Sequence, residues 1–224
     1  MIKTAQLVLD LPFRTALGRA DFFVTQSNEE AVAWLDRWPD WPGPAIFLHG
    51  PEGCGKSHLI QVWCTKSDAV AIKPAQLTNA AVPKIAGYGS VALDQADHIV
   101  DYEPLLHLYN LLREQGGFLL LACRIPPRQL WIPLADLRSR FLAAQAVGIQ
   151  PPDDELLLAV MAKLFADRQV RVGQEVLSFL VARIERSFAA AERAVDRLDR
   201  ISLSGQRPIT VPTASAAISS FDGV

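Results

Sequence analysis

The chain has 224 residues, half of them apolar and 21% charged, with a net charge of −2. That is enough for one α/β domain with a small appendage and a sizeable core, and the near-neutral balance argues against whole-surface affinity for nucleic acid. Cys54, Cys64 and Cys123 fit no metal-site spacing and suit a reducing compartment, and no apolar run reads as a leader or a membrane span. A cytoplasmic protein with no membrane partner is expected.

Residues 1–12 stand apart from the core pattern. Leu7, Leu9 and Leu11 follow Gln6 at a period of two, and Pro12 stops the run. The segment suits either an edge strand or an exposed peptide that docks on a partner. Further on, Ser27 or Asn28 can cap a helix with Glu30 in its first turn. Ala31, Val32, Trp34, Leu35 and Trp38 then form an apolar stripe at helical spacing, which reads as core. Pro39, Pro42 and Pro44 break the chain.

Ala45 to His49 is a short apolar run suited to a buried strand. Gly50-Pro51-Glu52-Gly53-Cys54-Gly55-Lys56-Ser57 follows and fits the phosphate-loop pattern G-x-x-x-x-G-K-[ST]. Leu59, Ile60, Val62 and Trp63 begin an apolar helical face. Strand, glycine loop and helix are the context that the pattern needs. The glycines let successive backbone N–H groups turn toward phosphate oxygens, and the helix N-terminus adds its partial positive charge. Gly50, Gly53, Cys54, Gly55, Lys56, Ser57 and His58 are therefore the expected nucleotide-binding set. Lys56 is expected on the terminal phosphates and Ser57 on Mg²⁺. Phe22 and Val24, ahead of the strand, are candidates for holding adenine or for simple packing.

Strands are expected at 69–72 and 91–93. The second ends in Asp94, suited to hold Mg²⁺ through water. Gln95 follows, where hydrolysing phosphate-loop ATPases usually have an acid; an amide cannot act as a base. Asp97 is expected to be exposed. The nucleotide site therefore reads as built to hold, with weak hydrolysis of its own. Residues 103–115 form a helix with Leu105, Leu108, Tyr109 and Leu112 on one face, ended by Gly116-Gly117. A buried strand is expected at 118–122 and a fifth over 142–149. Between them, Arg138 and Arg140 lie near a helix end, where solvated surface charge is the ordinary fate. Gln150-Pro151-Pro152 marks a boundary, and three helices and a short final segment follow, a bundle of about 70 residues.

The parts together resemble the AAA+ layout: a parallel five-stranded α/β phosphate-loop domain flanked by helices, then a small helical lid. Gly55-Lys56-Ser57-His58-Leu59 is similar to the G-K-T-H-L loop of the DnaA family. Phe23-Val24, Ser27-Asn28 and Ala31 resemble its F-V-x-G-x-S-N-x-x-A entry segment, and Ile125 to Leu130 its R-P-P-x-x-L loop. Leu137-Arg138-Ser139-Arg140-Phe141 matches its L-x-S-R-F box. Gln6 to Leu11 resembles the Q-L-x-L-x-L/F peptides by which bacterial proteins bind the replicative sliding clamp. The whole resembles the Hda-type, DnaA-related regulators of replication initiation.

That resemblance implies three segments: a clamp-binding peptide at 1–12, an AAA+ domain at 13–150 and a lid at 151–224. It implies the strand order 5-1-4-3-2 and ADP or ATP with Mg²⁺ as cofactors. DnaA and the sliding clamp are the implied partners, with DNA reached only through them and self-association left open. Gln6, Leu7, Leu9 and Leu11 would grip the clamp, and Arg140 would act in trans as an arginine finger. The implied function is promoting hydrolysis of DnaA-bound ATP, with a free-standing ATPase such as a helicase loader as the alternative and a structural adaptor as a third reading. The sequence departs from the family at Gln95, at Arg124 (a polar sensor position) and at Ala189 (the second sensor arginine), with Arg186 one turn away as the substitute.

Overall fold

The structure is a computed structural model that describes residues 23–205 and 208–218. The proposed clamp peptide and Phe22 lie outside the described residues. In chain order the elements are α1 (Glu29–Asp36), β1 (Ala45–His49), α2 (Lys56–Ser67), β2 (Val70–Ile72), α3 (Val82–Ala86), β3 (Ser90–Leu93) and α4 (Glu103–Glu114). Then come β4 (Phe118–Cys123), α5 (Ala135–Ala143), β5 (Gln145–Gly148), α6 (Asp154–Asp167), α7 (Gln174–Val181), α8 (Phe188–Gly205) and α9 (Val211–Ile218).

The five strands form one parallel sheet in the order β2-β3-β4-β1-β5, the order the resemblance implied. Alternation decides which face each side chain joins. Phe47, Leu93, Leu119 and Leu121 meet Leu105, Leu108 and Leu112 of α4 and Leu137 and Phe141 of α5 on one face. Ile46, Leu48, Ala92 and Leu120 meet α1 and α2 on the other. Both faces are covered, which is why the strands read as unbroken apolar runs. Four aromatics brace the second face. Trp41 stacks on Trp63 at 5.3 Å between centroids, and Phe118 meets Trp41 and Trp38 edge-on at 5.6 and 6.0 Å.

Two local expectations need correction. The run from Leu142 is not strand throughout: α5 extends to Ala143 and β5 occupies only 145–148. Leu137 and Phe141, four residues apart, are both buried, and that helical spacing carries the helix past the start of the run, leaving Leu142 52% exposed. At α1, Asn28 occupies the cap position without a side-chain capping bond. Its amide instead folds back, donating to Phe23 O at 3.0 Å and accepting from Thr25 N at 3.0 Å.

The lid is helical as expected. Leu157, Met161 and Phe165 of α6, Val176 and Leu180 of α7, Ala191, Val195 and Leu198 of α8 and Ala214 of α9 share a third core. Asp153 caps α6, its carboxylate accepting from Leu156 N at 2.8 Å. Asp153→Ala should lower lid stability by about 1 kcal/mol, a loss typical of an N-cap, read as an earlier urea or thermal transition.

Candidate functional site

The loop between β1 and α2 turns through two glycines in left-handed backbone, Gly53 (φ 74°) and Gly55 (φ 99°). A side chain at either would also strike the lid. A Cβ on Gly53 would lie 2.7 Å from Ser187 Cβ, and one on Gly55 would lie 2.9 Å from the Phe188 ring. Phe188 N donates to Gly53 O at 3.2 Å. The glycines thus serve two needs: they aim the loop and let α8 start against it.

Lys56 lies along the loop, its Nζ donating to Gly50 O and Pro51 O at 2.8 Å each. Ser57, from the first turn of α2, donates to Asp94 Oδ2 at 2.7 Å. That pairs a hydroxyl and a carboxylate, the hard oxygen ligands that Mg²⁺ takes. Gln95 stands in left-handed backbone (φ 57°) and its N–H donates to Asp94 Oδ1 at 2.9 Å. The loop, the lysine and the Ser57–Asp94 pair fit a Mg²⁺-nucleotide. No carboxylate occupies position 95.

A cavity of about 500 Å³ opens beside the loop. Gly53, Gly55, Lys56, Ser57, His58, Asp94 and Gln95 line its phosphate end, together with Asp97 and Arg124. Phe23, Val160, Lys163 and Phe188 line it from the entry segment and the lid. Asp97 is not the exposed group that its position suggested. Its side chain is only 8% exposed and accepts from Arg124 Nε at 2.6 Å. Burial pushes the Asp97 carboxyl upward, but the Arg124 bond and its own backbone N–H outweigh that and hold it below the usual carboxylate value. The same pairing raises Arg124 further.

The entry segment brings Phe23 to the cavity. Asn28 pins the Phe23 carbonyl, and Phe23 lines the cavity. Val24 is partly buried against the α1–α2 core, so it packs rather than faces the cavity. Phe188 and Val160 were missed because their spacing in α8 and α6 reads as ordinary amphipathic helix. Cys54 is buried in the loop, where burial raises its thiol despite Lys56 nearby.

Arg140 lies in the last turn of α5 and is not a solvated charge. Its Nε and Nη2 donate to the two Asp136 oxygens at 2.8 and 2.7 Å, and its Nη1 donates to Asn110 Oδ1. The guanidinium stands over the Tyr109 ring at 5.3 Å and is 22% exposed. Arg138, two residues before, is exposed.

Residues 153–216 match the family model described as Hda, lid domain. Domain III of the Thermotoga maritima replication initiation protein DnaA superposes with a TM-score of 0.76 at 19% identity, over 91% of this chain and 96% of that one. The lid segment is thus similar to the Hda lid, and the chain as a whole shares the fold of DnaA domain III. The AMPPCP-bound DnaA from Aquifex aeolicus gives a TM-score of 0.65 at 20% identity, over 82% of this chain and 64% of that one. RuvB, the Holliday junction branch migration motor of Thermotoga maritima, gives 0.67 at 14% identity, over 79% and 61%. At these identities the solved structures establish the fold, and the lid match carries the closer tie.

The lid does not bring Arg186 to the cavity lining. Arg186 pairs with Asp154 at 2.9 Å on the lid surface, both side chains 58% exposed. Ala189 is exposed in the first turn of α8 and offers no charge. Among the described residues, no helix is long and apolar enough to cross a membrane, and no group of three or more His, Cys, Asp or Glu side chains could hold a metal ion by itself.

Proposed function

We propose that this chain is a nucleotide-binding regulator of replication initiation that acts on ATP held by the initiator DnaA. The observation that carries this reading is the contrast between two sites. The chain's own cavity has a full phosphate loop but Gln95 where a water-polarising acid would stand. Arg140, by contrast, is an ordered guanidinium on the L-x-S-R-F helix, outside the cavity lining. The first site is suited to hold nucleotide and the second to supply positive charge elsewhere.

The Gly50–Ser57 loop and Lys56 would hold the phosphates of an adenine nucleotide, and Ser57 and Asp94 would hold its Mg²⁺, the latter through water. Bound Mg²⁺ supplies charge neutralisation of the phosphates. The residues of this chain position that nucleotide and set the angle of the lid through Gly53, Ser187 and Phe188. Gln6, Leu7, Leu9 and Leu11 anchor the chain on the sliding clamp. Arg140 then meets the γ-phosphate of DnaA-bound ATP across an AAA+ interface. An arginine placed so is worth roughly 10³–10⁵ in rate. DNA is met through clamp and initiator.

The test is ATP hydrolysis by DnaA with clamp-loaded DNA, with and without this chain, beside this chain alone. Acceleration in the full mixture only, lost in a Gln6→Ala, Leu7→Ala variant, is the expected result. Rapid turnover by this chain alone would favour a free-standing ATPase instead, and the intact Ser57–Asp94 pair is what that reading rests on. Silence in both would leave an adaptor.

A further inference from the structure

We infer that Glu192 accepts hydrogen bonds from the ribose hydroxyls of the bound nucleotide, so that the cavity favours ribonucleotides over deoxyribonucleotides. This rests on the nucleotide-binding reading above and adds a lid contact that no phosphate-loop residue supplies.

Two recesses meet under the lid. The large cavity runs past the phosphate loop, and a smaller cleft beside it is lined by Leu59 and Leu156. Phe23, Gly55, His58, Val160 and Phe188 line both. The smaller cleft is the apolar end, suited to a base, and Gly53 to Ser57 form the phosphate end. The sugar that joins base to phosphates then passes Val160 and Phe188. The start of α8 fixes what stands there. Phe188 N donates to Gly53 O at 3.2 Å, and Ser187 Oγ accepts from Ala190 N at 3.2 Å, so the helix begins on the loop itself. Glu192 follows Phe188 by four residues, which puts it on the same helix face one turn farther from the loop. It too lines the large cavity.

The carboxylate has no other use in the fold. Glu192 makes no hydrogen bond or ion pair among the described residues. A carboxylate facing a cavity built for phosphates repels the ligand unless it takes donors from it. The donors a nucleotide carries next to its phosphates are the ribose 2′- and 3′-hydroxyls, and the two carboxylate oxygens can accept from both. Dinucleotide-binding folds read the 2′-hydroxyl with an acidic side chain in the same way. A 2′-deoxynucleotide removes one of the two donors, and a 2′,3′-dideoxynucleotide removes both. Glu192 is exposed, so each such bond is worth the low end of the charge-assisted range, about 10-fold in affinity. A site of this kind answers to ribonucleotides and ignores the deoxynucleoside triphosphates that DNA synthesis consumes.

The experiment is equilibrium binding of ADP, 2′-deoxy-ADP and 2′,3′-dideoxy-ADP, each with Mg²⁺, to the full chain and to Glu192→Ala and Glu192→Gln. The full chain should bind ADP about 10-fold tighter than 2′-deoxy-ADP, with the dideoxy form weaker still. Glu192→Ala should bind all three within about 2-fold of one another, because only the nucleotides with hydroxyls lose a partner. Glu192→Gln should discriminate by an intermediate factor, since its amide oxygen still accepts without the charge. Equal binding of the three by the full chain, or discrimination that survives in Glu192→Ala, would overturn the assignment. A full chain that bound none of them would overturn the nucleotide-binding reading instead, a distinct failure seen before any variant is compared. Circular dichroism checks the fold of both variants, and Glu192→Gln, the isosteric change, carries the test if Glu192→Ala alters the spectrum.

Discussion

Arg140→Ala should cut the stimulation of DnaA-bound ATP hydrolysis by about 10³-fold or more while leaving this chain's own nucleotide affinity unchanged. The second half follows from placement, because Arg140 is on α5 and does not line the cavity. The first half follows from order. A free arginine loses about 2 kcal/mol of rotamer entropy when fixed. Here Asp136, Asn110 and the Tyr109 ring already fix it. The carboxylate takes Nε and one Nη, so the guanidinium meets a partner with its orientation set. Arg140→Lys should not rescue, since an ammonium keeps the charge but loses the planar fork. Asp136→Ala should fall between wild type and Arg140→Ala, because the charge survives and its orientation does not. Hydrolysis assays on DnaA with loaded clamp measure all three. Full stimulation by Arg140→Ala would move the catalytic contact to another residue.

The phosphate loop was legible because its glycines, Lys56 and Ser57 have roles fixed by chemistry, and the structure places Ser57 and Asp94 within 2.7 Å. The strands were legible because a sheet covered on both faces imposes apolar runs. Their order was not, since periodicity names strands and not neighbours; the resemblance supplied it. What sequence reading missed is tertiary. Asp97 looked like one more surface acid, and only the return of β4 beside β3 brings Arg124 to cover it. Asn28 looked like a helix cap, yet its amide is used to hold Phe23 at the cavity. Phe188 looked like one turn of an amphipathic helix, and its contact with Gly55 spans more than 130 residues of chain. Arg186 shows the opposite error. Proximity in sequence to a sensor position made it a candidate, but a one-turn offset points it to Asp154 instead.

Lys56→Ala should abolish measurable nucleotide binding at micromolar concentrations, the second large effect expected. Lys56 is the one loop side chain with formal positive charge, and its Nζ bridges Gly50 O and Pro51 O at 2.8 Å. Phosphate oxygens would take over those donors, so the lysine exchanges loop carbonyls for a charged acceptor when nucleotide arrives. Each charge-assisted bond lost costs about 1.5–3 kcal/mol, and two to adjacent phosphates together loosen binding by roughly 10²-fold or more. The variant loses a loop brace too, so its apo stability is a needed control. Thermal shift gives both readings at once. At ADP one hundred times the dissociation constant, wild-type protein gains about 2.7 kcal/mol, or roughly 5–10 °C for a chain of this size. Lys56→Ala should show almost none of that shift at the same ADP concentration, with an apo transition within a few degrees of wild type. A preserved shift would mean that the loop backbone alone, with the α2 N-terminus, holds the phosphates, and the lysine would then be a brace rather than a ligand.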